Sequence, residues 1–159
     1  FRRVLFRSFE HFDQAWTEKV LGKRGRKGID AYLGIVATEF TAGRLVAGFD
    51  VTDEIVTMIG NIHGGCISAL VDHVLGVVMY PVMPPRSWAA TTEFKINLLA
   101  PVTGGRVEAT AQIVSMSKRL AVVRIDVENV VPAADGGEPR RRLVAVAQGT
   151  STIVAPREG

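Results

Sequence analysis

The sequence predicts an α+β domain in which one antiparallel sheet wraps around a long central helix, behind an N-terminal helical extension. Two observations carry this reading. From Cys66 to about Tyr80 the residues are apolar nearly all round, the pattern of a helix enclosed by protein on every side. Two β-rich runs precede that stretch and four follow it, each bounded by turn residues. A length of 159 residues fits one domain with one substantial core.

Each element follows from a local signal. Phe9, Phe12, Trp16 and Val20 recur at helical spacing and predict one amphipathic helix over 9–21, followed by a Gly- and Lys-rich turn at 22–28. Tyr32–Phe40 and Arg44–Val51 read as strands joined by Thr41-Ala42-Gly43, a short hairpin connection. Residues 52–62 form a loop leading into Gly64 and Gly65. Pro81, Pro84 and Pro85 terminate the central helix. The late strands are Trp88–Leu99, Gly105–Ser115, Leu120–Val131 and Arg142–Val154, with turns at 101–104, 117–119 and 132–139. The expected organisation is an N-terminal helix and linker over 9–30 and the main domain over 31–159. Residues 1–8, FRRVLFRS, read like a translated sequencing-library adapter and not like natural protein.

Composition narrows the function classes. Hydrophobic residues at 47% and charged residues at 22% exclude a disordered chain. The formal charge of +3 includes Arg2, Arg3 and Arg7; without them it is 3 − 3 = 0, so basicity is no argument for a nucleic-acid partner. The remaining basic runs at 23–27 and Arg140–Arg142 read as solvated loop charge. Ser68, Asp72 and His73 interrupt the longest apolar stretch, which argues against a membrane span. The single Cys66 excludes an internal disulfide framework and suits a reducing cytoplasm. His11, His63 and His73 with that one cysteine show no metal-ligand spacing, and neither a metal nor a separate cofactor is expected.

The chemistry concentrates where the central helix begins. Gly64 and Gly65 let a ligand approach the backbone, and the first N–H groups of a helix are ready donors to an oxygen carrying negative charge. Asp72 lies eight residues after Gly64, about 12 Å along the helix at ~1.5 Å per residue, on roughly the same face. A carboxylate buried in an apolar helix is costly, which invites a functional explanation. Because ~12 Å is too far for one chain to bring both groups to one carbonyl, the spacing predicts a two-fold dimer. In it, Gly64 of one copy faces Asp72 of the other.

The run Asn61-Ile-His63-Gly64-Gly65-Cys-Ile-Ser-Ala-Leu-Val-Asp72 is followed by Thr91-Thr-Glu-Phe-Lys-Ile-Asn-Leu-Leu-Ala-Pro101. Together they resemble the hotdog-fold thioesterases of the PaaI-like group, over roughly residues 31–155. The resemblance implies hydrolysis of an acyl-CoA thioester by a homodimer or a dimer of dimers. Gly64 N–H would polarise the thioester carbonyl with help from the helix dipole. Asp72 would act as general base or nucleophile, and Thr91 would position the attacking water. His63 would sit beside the carbonyl pocket and hold the loop, while Gly65 keeps the backbone open for the pantetheine arm or the acyl chain. The Lys118–Arg119 turn would lie near the nucleotide end of coenzyme A. The family commonly has Asn six residues before the histidine; this chain has Thr57, with shorter reach and no amide, and Asn61 four residues later is no evident replacement.

Other candidates read as structural. His73 points about 100° away from Asp72 around the helix and is expected at an interface or in the core. Glu93, two residues after Thr91, is expected on the same strand face as an exposed or interface charge. Cys66 reads as a packing residue, and Met79, Met83, Trp88 and Phe94 read as core, with the lining of an aryl or medium-chain acyl pocket as the alternative. The runner-up function is a hotdog protein that binds acyl-CoA or a fatty-acyl group without turning it over. A hydratase is disfavoured, because Asp72 and His73 diverge around the helix and form no acid/base pair.

Overall fold

The computed structural model describes residues 9, 11–23, 25 and 27–155, so the 1–8 segment lies outside the described residues. Its elements are helices α1 (Gln14–Val20), α2 (Gly28–Leu33) and α3 (Gly64–Val77), and strands β1 (Val36–Thr41), β2 (Arg44–Asp50), β3 (Trp88–Leu98), β4 (Arg106–Met116), β5 (Leu120–Val131) and β6 (Arg140–Val154). The six strands form one sheet in the order β1-β2-β4-β5-β6-β3, with every neighbouring pair antiparallel. The late strands fall within two residues of their sequence-predicted bounds, because their alternation and turn residues agree.

The first third departs from expectation. α1 starts at Gln14 and not at Phe9, because the Asp13 carboxylate caps it by accepting the Trp16 N–H at 2.9 Å. Trp16 then stacks on Tyr80, 5.4 Å between centroids, and meets Phe40 edge-on at 5.7 Å. With the Asp13 N–H donated to the Pro81 carbonyl at 2.7 Å, this pins the extension onto the segment that follows α3. Residues 28–33 form a helix where the sequence suggested linker and then strand. Gly34, in a left-handed conformation (φ 67°), ends that helix, so β1 begins only at Val36. The aromatic and β-branched run from Tyr32 to Val36 imitates one strand; the glycine within it divides two elements.

α3 packs Ile67, Leu70, Val71, Val74 and Leu75 against the inner face of the sheet, where Leu45, Phe49, Val107, Val123 and Ile125 are fully buried. Each such side chain contributes roughly 1.5–3 kcal/mol by leaving water. The opposite side of α3 is not enclosed, which corrects the expectation of burial all round: Gly65 and Asp72 are exposed, and Ser68, Ala69 and Gly76 are half-buried. One sheet covers one side of a helix. The apolar reading of the outer side rested on small residues, which have little to bury. α3 also ends at Val77, short of Tyr80; tight turns carry the chain on through Val82 before the Pro84-Pro85 step.

β3 lies at an edge of the sheet and carries a bulge between Thr91 and Glu93. Thr91 pairs with Ser151, which is fully buried on the helix side, whereas Glu93 pairs with Thr150, the adjacent residue of β6. Two residues apart across the bulge, Thr91 and Glu93 therefore lie on opposite faces, contrary to the plain alternation. Thr92 is the extra residue, and its hydroxyl sits 2.8 Å from that of Thr152.

The sheet end below β3 is tied to the loop that feeds α3. The buried Asn129 amide donates to the carbonyls of Gly104 at 2.8 Å and Arg106 at 3.2 Å, fixing the turn before β4. Within the same turn the Val102 carbonyl accepts the Ile62 N–H at 2.8 Å. Asn129→Ala leaves two carbonyls without that donor and should destabilise the fold by about 1–3 kcal/mol. A lower denaturant midpoint at unchanged m-value is the expected readout.

Candidate active site

The helix mouth is built by three backbone ties and one imidazole. His63 N–H donates to the Ile55 carbonyl (3.2 Å), Ile62 N–H to Val102, and Val56 bridges Ile62 in antiparallel register. His63 is the N-cap of α3, and its Nδ1 accepts the Gly65 N–H at 2.9 Å. Ordinary N-caps use a hydroxyl or carboxamide oxygen; here a ring nitrogen satisfies the same orphan donor. A Cβ at residue 65 would lie 2.8 Å from that Nδ1, so the glycine is what lets the ring cap. A Cβ at residue 64 would meet only Cδ1 of Leu98, at 2.7 Å, the far end of a side chain that can turn aside. The Gly64 N–H makes no hydrogen bond among the described residues, and its carbonyl receives the Ser68 hydroxyl at 3.1 Å.

In front of the mouth, residues 57–61 form a tight loop. Thr57 uses both its N–H and its hydroxyl on the Asn61 carbonyl, each at 2.8 Å, and Gly60, at φ 83°, donates back to the Thr57 carbonyl. Asn61 spends its amide on the Ile62 carbonyl at 3.1 Å. Both side chains thus hydrogen-bond within the loop, Thr57 through its hydroxyl and Asn61 through one hydrogen of its amide. Sequence reasoning passed over the loop tip, where Met58 and Ile59 are 102% and 84% exposed. An open cleft of about 330 Å³ runs between that tip and the helix, lined by Thr57, Met58, Ile59, Asn61, Ile62, His63 and Gly64. An apolar pair inside a predicted polar loop was the available signal. Leu98, against Gly64, could not have been found without the fold.

The structure separates the other sequence-predicted residues. Asp72 is exposed on the uncovered side of α3, not buried, and two turns from the cleft. Thr91 is exposed on β3. Lys118 and Arg119 sit in an exposed turn that the Ser117 hydroxyl closes by accepting the N–H groups of Arg119 and Leu120, each at 3.2 Å. That turn lies by β6 residues 152–153, at the Trp88 end of β3, whereas Gly64 lies at the Leu98 end. Ten strand steps of ~3.3 Å put about 33 Å between those ends in one chain. His73 is half-buried, with Nδ1 3.1 Å from Asp30 of α2, so it ties α3 to α2. Burial pushes the Cys66 thiol up, which keeps it protonated and unreactive near neutral pH. Met79 and Met83 are core, Phe94 is half-buried, and Trp88 is 52% exposed, so the tryptophan is not the packing residue expected. Among the described residues no three His, Cys, Asp or Glu side chains gather as a metal centre would require, and no helix is long and apolar enough to cross a membrane.

A six-stranded antiparallel sheet holding one helix against its inner face has known counterparts. The family model described as the thioesterase superfamily matches residues 59–133, which span the helix mouth, α3, β3, β4 and β5. The chain carries the hotdog fold seen in solved thioesterase structures. A thioesterase family protein from Silicibacter pomeroyi superposes with a TM-score of 0.74 at 24% identity, covering 82% of this chain and 92% of that one. The Escherichia coli PaaI protein from the phenylacetic acid degradation operon gives 0.68 at 22% identity, over 82% and 86%. At these identities the likeness establishes the hotdog fold itself. Among curated proteins, a 1,4-dihydroxy-2-naphthoyl-CoA hydrolase from Listeria monocytogenes is 26% identical over 100 residues, 63% of this chain and 81% of that protein.

The cap geometry of this hotdog helix makes a direct prediction. Gly65→Ala should push the His63 ring aside and speed hydrogen exchange at the residue-65 amide by about threefold to thirtyfold, matching the ~0.5–2 kcal/mol of a side-chain cap. Gly64→Ala, which asks only Leu98 to turn, should leave that amide protected in the same NMR exchange experiment.

Proposed function

We propose that this protein hydrolyses an acyl-CoA thioester to the free acid and coenzyme A, at sites shared between two copies of the chain. The single observation that carries the reading is the uncommitted Gly64 N–H at the mouth of α3, opening on an apolar cleft beside it. A thioester carbonyl placed there would receive that N–H and the positive end of the helix dipole as negative charge develops on its oxygen. The thioesterase-superfamily match and the CoA-thioester hydrolase relative support the reaction class.

Asp72 would serve from the second copy. Its exposure on the open side of α3, among residues as small as Gly65, Ala69 and Gly76, suits the close approach of another helix. β3 is an eleven-residue edge strand, and antiparallel pairing of two such strands would bring the partner's Trp88 end to this chain's Leu98 end. The same pairing would carry a partner's Lys118–Arg119 turn to the Gly64 site, where its charges suit the phosphates of coenzyme A. Thr91, on the helix-side face of β3, would hold the water.

In the reaction, Asp72 takes a proton from water as its oxygen bonds the acyl carbon; the carbonyl then re-forms, the C–S bond breaks, and the coenzyme A thiolate leaves and takes up the proton. A nucleophilic Asp72 would instead form an acyl–aspartyl anhydride that water opens, with the same products. A second reading, binding without turnover, draws on one observation: Thr57 and Asn61 are both tied locally, so the usual side-chain donor is missing.

Asp72→Asn should lower kcat at least ~100-fold in a free-thiol release assay, with unchanged size on gel filtration. Full retained activity would remove Asp72 from the mechanism. Saturable binding of short, long and aryl acyl-CoAs with no thiol release from the wild type would favour the binding protein instead.

A further inference from the structure

The missing amide at position 57 leaves a gap that the chain fills from another residue. A carbonyl pocket stabilises an oxyanion best with two donors, and one backbone N–H is only half of one. Among the described residues, the polar groups around the cleft can be followed one by one. The Thr57 hydroxyl donates to the Asn61 carbonyl, and the Asn61 amide to the Ile62 carbonyl. The Gly65 N–H is held by His63 Nδ1. At the helix start itself two donors remain, the Gly64 N–H and the second nitrogen of the His63 ring, while the other uncommitted N–H groups belong to the 58–61 loop.

The cap decides what that second nitrogen is. Accepting the Gly65 N–H requires a lone pair on Nδ1, so in the neutral ring the proton resides on Nε2. His63 is exposed and lines the cleft beside Gly64, so Nε2–H faces open space. A ring whose only free nitrogen bears a proton has no basic site to offer water. It can only donate. Its orientation is fixed by a hydrogen bond to the very helix whose first N–H is the other donor, and two groups held on one rigid element keep their mutual geometry.

The geometry points to His63 as a catalytic residue of this chain: its Nε2–H is the second donor to the thioester carbonyl oxygen, taking the place of the side-chain amide that Thr57 cannot supply. The inference rests on the hydrolase reading above and adds to it a donor that a loop-holding histidine would not provide. It also gives Gly65 a purpose distinct from backbone clearance. The residue stays without a Cβ so that the ring can lock in its donating tautomer.

A four-protein comparison of wild type, His63→Ser, Thr57→Asn and the double variant tests this, using whichever acyl-CoA of a short, long and aryl panel the wild type releases fastest. Serine is itself a good N-cap, so His63→Ser keeps the helix start while its short hydroxyl ends well behind the position of Nε2. The expected result is a fall in kcat of ~100-fold for folded His63→Ser, as for loss of one oxyanion donor. Adding Thr57→Asn to it should then restore at least ~10-fold relative to His63→Ser, because the amide returns the lost donor. Full activity in His63→Ser, or a folded double variant no faster than His63→Ser, would overturn the role assigned to the ring and leave the hydrolase reading standing if Asp72→Asn is inactive. A wild type that releases thiol from no member of the panel overturns both.

Discussion

Everything at the helix mouth depends on α3 being buried on one side and free on the other. Ile67, Leu70, Val71, Val74 and Leu75 fix the helix on the sheet, so its first turn cannot rotate or slide without exposing core. That leaves Gly64 and His63 at a set place beside Leu98, and leaves Asp72 on the side that no strand covers. A helix buried all round would present no group to a ligand or a second copy. The uncovered stripe is what makes a shared site possible.

The same constraint explains how the chain arranges its polar groups near the cleft. Loop 57–61 closes on itself through Thr57, Gly60 and Asn61, and the loop after β3 is held by Asn129 from the opposite direction. Each tie consumes a donor. Among the groups left over are those nearest to the helix start, where the backbone dipole adds to their effect.

Much of this was legible in the sequence, for reasons that differ by element. The four late strands declared themselves because alternation and turn residues coincided, and the His63-Gly64-Gly65 to Asp72 spacing located the mouth. α2 was not legible, since the residues around Gly34 have strand composition and only the glycine's left-handed backbone separates helix from strand. Asp72 was expected to be buried because Gly, Ala and Cys count as apolar without being large. The facing of Thr91 and Glu93 was lost to a bulge, which adds one residue and leaves no mark in an alternating pattern. The cap of His63 follows from a ring angle that no spacing encodes.

The bulge at Thr92 has a consequence for assembly as well as for facing. A long open edge strand is a template for any extended chain, and cells accumulate many of those. On β3, the extra residue twists the edge out of regular repeat, and Glu93 and Lys95 place opposite charges beside it. A visiting strand of arbitrary sequence would meet mismatched spacing halfway along, whereas a second β3 running the other way brings the same irregularity and the same charges in reverse order. In the dimer proposed above, that edge would favour its own copy over an unrelated strand.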